Sequence, residues 1–225
     1  MSDEPKAAIN LQHLAAASLF ASKEETRYYL NGVYLEVDRR SCVCVATDGA
    51  RLIAIRHDNL MSDPDNTLVG GFIVPTPQCK AFKLGKEGPF EASLTGSPKR
   101  LTISFDRIDI SFNPIDGQFP DWRRVIPGRV EKIQAAHFNY KLLADFKKFA
   151  DTLDFGHPAV TPDGIDKPAM VWFPGHYHAL GVMMPLRIED ESGRSIPDWA
   201  GDAGRPDFSP PHDNDGVILS GDEAA

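Results

Sequence analysis

Three stretches of the chain repeat one grammar: a short apolar strand, a small polar residue suited to cap a helix, an amphipathic helix, then further alternating strands. The three caps, Asn10, Thr76 and Asn139, stand about 65 residues apart. After Asn10 comes LQHLAAASLFAS, where Leu11, Leu14, Ala15, Ser18 and Leu19 share a helical face. After GFIVP come Thr76 and Pro77, a cap and a helix-starting proline, then QCKAFKLG closed by Gly85. After AAHF and Asn139 comes YKLLADFKKFADTL, whose Leu142, Leu143, Phe146 and Phe149 form an apolar stripe. Strand patterns follow each helix: YYLNGVYLEV and SCVCVATDGARLIAI, then FEASLT, RLTISF and IDISFN, then PAMVWF and YHALGVMMPL. The pattern predicts an α+β fold of three copies of one helix plus several antiparallel strands.

The 225 residues carry a formal net charge of −8, and the whole excess sits at one end. Residues 189–225 hold ten acids against Arg194 and Arg205, which leaves residues 1–188 with 22 acids and 22 bases. Four prolines, five glycines and few apolar positions predict a flexible acidic tail there, with a boundary near Ile188. No stretch approaches the roughly 20 apolar residues a membrane helix needs. The opening MSDEPKAAIN has acids where a secretory signal has bases, so a cytoplasmic location is expected. Three cysteines cannot all pair, and Cys42 and Cys44 fall on one face of a strand, so reduced core thiols are expected.

Lysines concentrate on the helical stretches: Lys80, Lys83 and Lys86 on or just after the second, Lys141, Lys147 and Lys148 on the third. Two readings stay open. Such lysines form ordinary solvated faces, or they meet a phosphate backbone, which requires no base contacts and therefore no particular DNA sequence.

Four motifs in order, TRYYLNG at 26–32, VATDGARLIAI at 45–55, DGQFPDWRRVIP at 116–127 and VMMPLRI at 182–188, resemble the bacterial DNA polymerase III beta subunit, the sliding clamp. The resemblance covers most of residues 7–188. It implies the DNA-clamp fold, with helices on one face lining a hole around duplex DNA and sheets on the other as the outer wall. By this resemblance, residues 1–127 are a clamp domain like the family's middle domain, with units at about 7–68 and 69–127. Residues 128–188 are then a one-unit partial domain carrying the last pocket strand, and 189–225 the tail.

The same resemblance implies a hydrophobic pocket for short peptides of polymerases and other replication and repair proteins. The matching residues are Leu30, Thr47, Gly49, Arg51 and Leu52, then Pro120, Arg124 and Val125, then Met184, Pro185 and Leu186. Apolar side chains would form the floor, and Arg51 and Arg124 at the rim would bond peptide carbonyls or carboxylates. Ala50 stands where the family often has a larger polar residue, and Met183 and Leu186 are conservative departures that would shift which side chains fit. The acidic tail, beginning beside Met184, is expected to compete weakly for the rim arginines or to stay solvated.

The implied partners are double-stranded DNA, polymerase and other clamp-binding proteins, a clamp loader, and further copies of the chain. The family has six units in three domains, whereas this chain shows three. A twelve-unit ring would then be a tetramer, and a chain completing two domains, as in the trimeric clamps of phages and archaea, would make a trimer. The alternative is a clamp-like protein that forms no ring and titrates clamp-binding peptides.

No enzyme signature competes. His176 and His178 alternate like two ligands on a strand, but no Cys or carboxylate at ligand spacing completes a metal site. Asp48 before Gly49 reads as a tight turn, and no nucleophile elbow, metalloprotease, P-loop or dinucleotide motif is present. No cofactor and no catalytic role are expected.

Overall fold

β1 (Lys6–Asn10) runs directly into α1 (Leu11–Ala17), because Asn10 is still extended while its side-chain oxygen accepts the amide of His13 at 3.0 Å. The helix tightens into a 3₁₀ turn at Ser18–Phe20, and a second 3₁₀ segment, Glu25–Leu30, leads to β2 (Gly32–Val37), β3 (Ser41–Thr47) and β4 (Arg51–Asp58). The second stretch supplies β5 (Gly70–Pro75), α2 (Thr76–Cys79), β6 (Glu91–Ser97), β7 (Arg100–Phe105) and β8 (Ile108–Phe112). The third supplies α3 (Tyr140–Thr152), β9 (Ala159–Thr161), β10 (Ala169–Trp172) and β11 (Ala179–Met183). These elements come from a computed structural model that describes residues 4–58, 67–85, 90–127, 136–164 and 166–187. All lie in one unit, Met1–Arg187; the expected acidic tail falls in a second, Ile188–Ala225, outside the described residues.

Two elements differ from the sequence expectation. The second helix is one turn: Pro75 occupies its N-cap, Thr76 is already helical, and the Thr76 hydroxyl donates to the carbonyl of Asn31 at 2.9 Å instead of capping. Buried Cys79 and Phe82 are three apart, but partly buried Leu84 follows after only two, so the core takes these side chains from an irregular segment. The YYL of TRYYLNG is 3₁₀, and its strand begins only at Gly32.

All strand pairings among the described residues are antiparallel. One sheet orders β1-β6-β7-β8; the other orders β5-β2-β3-β4-β11-β10-β9. The first two stretches exchange leading strands, with Ile9 opposite Ala92 and Val33 opposite Val74. The third joins the first through β11, where Val182 lies opposite Leu52.

The larger sheet is apolar on both faces, which explains the nearly unbroken burial of β3 and β4. Cys42, Cys44, Ala46, Ile53, Ile55 and Met183 face the main core with α1, α3 and the smaller sheet. Leu30, Val45, Leu52, Ala54, Ile73 and Val182 belong to a second cluster, closed by Phe119 and Trp122 from the segment after β8. That segment is tied down by Ile115 N donating to Ile73 O at 2.9 Å and by Phe119 stacking on Tyr34 at 4.8 Å.

In α3, Phe146, Phe149 and Ala150 are buried while Leu142 and Leu143 are only partly so. Cys42, Cys44 and Cys79 are free and buried; burial holds the Cys79 thiol up at about 12, and a hydrogen bond to Cys42 raises Cys44 as well. Among the described residues no helix is long and apolar enough to cross a membrane.

Candidate functional site

The turn between β3 and β4 is built by its own polar side chains. Thr47 Oγ1 donates to Arg51 O at 2.7 Å and accepts from Gly49 N at 3.0 Å, while Asp48 Oδ1 accepts from Ala50 N and Arg51 N. Gly49 takes φ +92°, a conformation that favours glycine. The chain leaving β11 is bonded to this turn, because Met184 N donates to Ala50 O at 2.9 Å; two residues on, Leu186 N donates to His137 O at 2.7 Å. A short 3₁₀ turn, Trp122–Val125, closes the third side, its N-cap Asp121 accepting from Arg123 N.

These three sides enclose a cavity of about 170 Å³. Leu30, Thr47, Gly49, Arg51, Leu52, Pro120, Val125 and Met184 of the expected set line it. Arg124, Pro185 and Leu186 do not, although Leu186, at 47% exposure, continues an apolar rim with Val125 at 45% and Met184 at 41%. Ala50, noted above as a departure from the family, lines it too, as do Asp121, Trp122 and Val182, which were not singled out. Each lies inside one of the quoted motifs, and period-2 alternation separates Val182 and Met184 from Met183. Met183, read as a pocket departure, instead faces the main core and is fully buried.

Arg51 departs most from expectation. It is 8% exposed, and its guanidinium turns inward: Nε meets Asp48 at 3.1 Å, Nη1 meets Asp145 at 2.6 Å, and Nη2 donates to Leu19 O at 3.2 Å. The charge also lies 4.7 Å over the Phe20 ring. A planar fork with this many acceptors in reach is held in the interior, so Arg51 is not a rim arginine for a peptide or a tail. Burial pushes the Asp145 carboxyl up, but hydrogen bonds from Lys148 and Arg51 outweigh it and hold the group below the usual carboxylate range.

A polar cleft of about 1010 Å³ shares Gly49, Ala50 and Arg51 with the cavity, and Lys23, Arg27, Lys80 and Lys148 stand around it with Glu24, Asp48 and Asp145. Among the expected DNA-facing residues, Lys80 and Lys83 are exposed but lie past the end of α2, and Lys86 lies outside the described residues. On α3, Lys141 is exposed, whereas Lys147 pairs with Asp151 and Lys148 with Asp145 at 2.8 Å.

His176 and His178 sit in the turn before β11 rather than on a strand. His176 stacks on Phe155 at 3.9 Å, while His178 and His57 both approach His13, at 6.1 and 5.9 Å between ring centroids. Among the described residues no group of three or more His, Cys, Asp or Glu is arranged to hold a metal ion.

Residues 7–121, just over half of the chain, match the family described as DNA polymerase III beta subunit, central domain. The chain belongs to the DNA polymerase III beta subunit family. The beta sliding clamp of Treponema pallidum is 33% identical over 138 residues, covering 56% of this chain and 36% of that protein. The beta sliding clamp of Caulobacter vibrioides is 36% identical over 118 residues, covering 50% and 31%. The chain thus spans about a third of the length of these curated relatives. In three dimensions the sliding clamp of Bacillus subtilis aligns with a TM-score of 0.66 at 15% identity, covering 84% of this chain and 66% of that one. The Thermotoga maritima beta subunit gives 0.65 at 14%, covering 84% and 67%. This beta subunit family member has the α+β clamp fold.

Proposed function

We propose that this beta subunit family member is a DNA polymerase processivity factor that binds and does not catalyse. In this reading a homo-oligomeric ring of the chain, tetrameric or trimeric, encircles duplex DNA without regard to sequence, in the cytoplasm. A clamp loader places it there, and polymerase and other partners are held by short peptides. Residues 1–127 act as a complete clamp domain and 128–188 as a partial one.

The observation that carries the reading is the cavity itself. Leu30 and Leu52, Pro120 and Val125, and Met184 come from three stretches remote in sequence and close one apolar hollow with exposed apolar residues at its mouth. A volume of about 170 Å³ is comparable to a cavity of about 150 Å³ that takes a benzene ring, so it suits one large aliphatic or aromatic side chain of a peptide. Exposed apolar side chains gathered at such a mouth are what a transient protein partner covers. Because Arg51 is turned inward, selectivity rests on apolar fit, with Arg124 the expected residue left to meet a peptide's polar groups.

A fluorescein-labelled peptide with a glutamine followed by leucines and an aromatic tests the reading by fluorescence polarisation. Met184→Asp and Val125→Asp, both at exposed rim positions, are expected to weaken binding by about 2 kcal/mol or more. Wild-type affinity in both folded variants places the peptide site elsewhere.

A further inference from the structure

The cavity's floor and its wall are held by different means. Leu52 and Val182 sit on strands paired along a ladder, whereas Pro120, Trp122 and Val125 belong to a segment with a single 3₁₀ turn. A four-residue turn has little stability of its own, so outside contacts set its position. Ile73 and Tyr34 hold the start of the segment, and Glu36 on β2 holds the turn itself. Its carboxylate accepts two bonds from the Arg123 guanidinium, at 2.8 and 2.5 Å, and one from the indole Nε1 of Trp122 at 3.2 Å. The Arg123 guanidinium carbon in turn lies over the Trp122 ring, 4.2 Å from its centroid. One acid thereby fixes both the direction of the indole and the residue stacked on it, and a two-pronged Arg–carboxylate pair fixes orientation as well as distance.

We propose that Glu36 is a positioning residue for the cavity: through Arg123 and Trp122 it sets the wall against which a partner's side chain packs, while touching no partner itself. The proposal rests on the peptide-site reading above for its effect on affinity, but its effect on the wall is independent of it. The side chains of Arg123 and Glu36 are 54% and 33% exposed, a situation in which ion pairs add little to global stability. Wall order and global stability are therefore separable. A wall already in place spares a ligand the ordering it would otherwise impose, and that is where affinity is lost when the anchor goes.

The full chain is compared as wild type, Glu36→Ala, Glu36→Gln, Arg123→Met and the Glu36→Ala/Arg123→Met double variant. Amide hydrogen exchange of residues 119–126 is expected to quicken in Glu36→Ala and Arg123→Met, with Glu36→Gln intermediate, while the thermal midpoint moves by no more than about 3 °C. The labelled peptide is expected to bind roughly tenfold more weakly to either single variant, and no more weakly still to the double, since both remove one unit. Unchanged exchange across 119–126 in Glu36→Ala overturns the proposal whether or not a peptide binds. Equal affinity of folded Glu36→Ala and wild type for the peptide overturns it too. A wild type that binds no such peptide, but whose wall exchange rises in Glu36→Ala, removes the peptide reading and leaves the anchor standing.

Discussion

Arg51 Nη1 donates to Asp145 Oδ2 at 2.6 Å across 94 positions of sequence. The pair ties β4 to α3, and so joins the first stretch to the third at the base of the candidate site. Removing Asp145 leaves a buried guanidinium with Asp48 as its one charged partner among the described residues, so Asp145→Ala is expected to lower unfolding free energy by about 3 kcal/mol. Lys148→Ala, which removes only an exposed cation, is expected to change it by less than about 1 kcal/mol. Urea denaturation of both variants checks the contrast, and equal losses refute it.

Gly181 on β11 is required by space. A Cβ there would lie 2.3 Å from Phe146 Cε1, and Phe146 is itself fully buried and packed edge-on against Phe20 at 4.8 Å. With no room for the ring to retreat, Gly181→Ala is expected to cost about 1–3 kcal/mol, measured as a lower urea midpoint at unchanged slope.

His13 gives the fold an acid sensitivity. Burial, then the neighbouring His57 and His178, hold it down at about 3, against 6.5 when unfolded. The groups facing it are His57, whose own neighbour Glu91 is 3.4 Å away, and His178, which burial and then His176 hold below its ordinary value against an opposing pull from Asp58. Between 6.5 and 3 the unfolded chain takes a proton that folded His13 refuses, so this group costs stability as pH falls through that window and nothing above it. Between pH 7 and pH 5 the wild type is expected to lose about 2 kcal/mol more than His13→Gln, as read by urea titrations at both values. Parallel losses would show that His13 is protonated in the folded state.

If the chain encircles DNA, binding depends on salt and on topology. Lys80→Ala and Lys141→Ala, at exposed lysines, are each expected to reduce the slope of log K against log salt by about 0.9. Lys147→Ala, whose ammonium is engaged by Asp151, is expected to reduce it less. Loaded protein is expected to stay on circular duplex and to slide off linear duplex; equal retention on both, or a monomer by light scattering at working concentrations, removes the ring.

The sequence determined the units and their grammar. Asn10 and Asn139 cap their helices because a short side-chain oxygen beside an extended residue satisfies an amide within the same turn, a relation confined to a few residues. The Thr47–Arg51 turn was legible for the same reason, and the resemblance of four motifs named most residues lining the cavity. Thr76 and Arg51 were misread because their partners are distant: the Thr76 hydroxyl goes to Asn31 O, and the Arg51 guanidinium to Asp145 and Leu19. Likewise, alternation puts Val182 and Met183 on opposite faces, but only the pairing of β11 with β4 decides which face meets the helices and which meets the cavity. Local hydrogen bonds and periodicity are written into neighbouring residues. The direction of a buried charge and the side a strand presents follow from which surfaces the folded chain brings together, and these the tertiary structure alone decided.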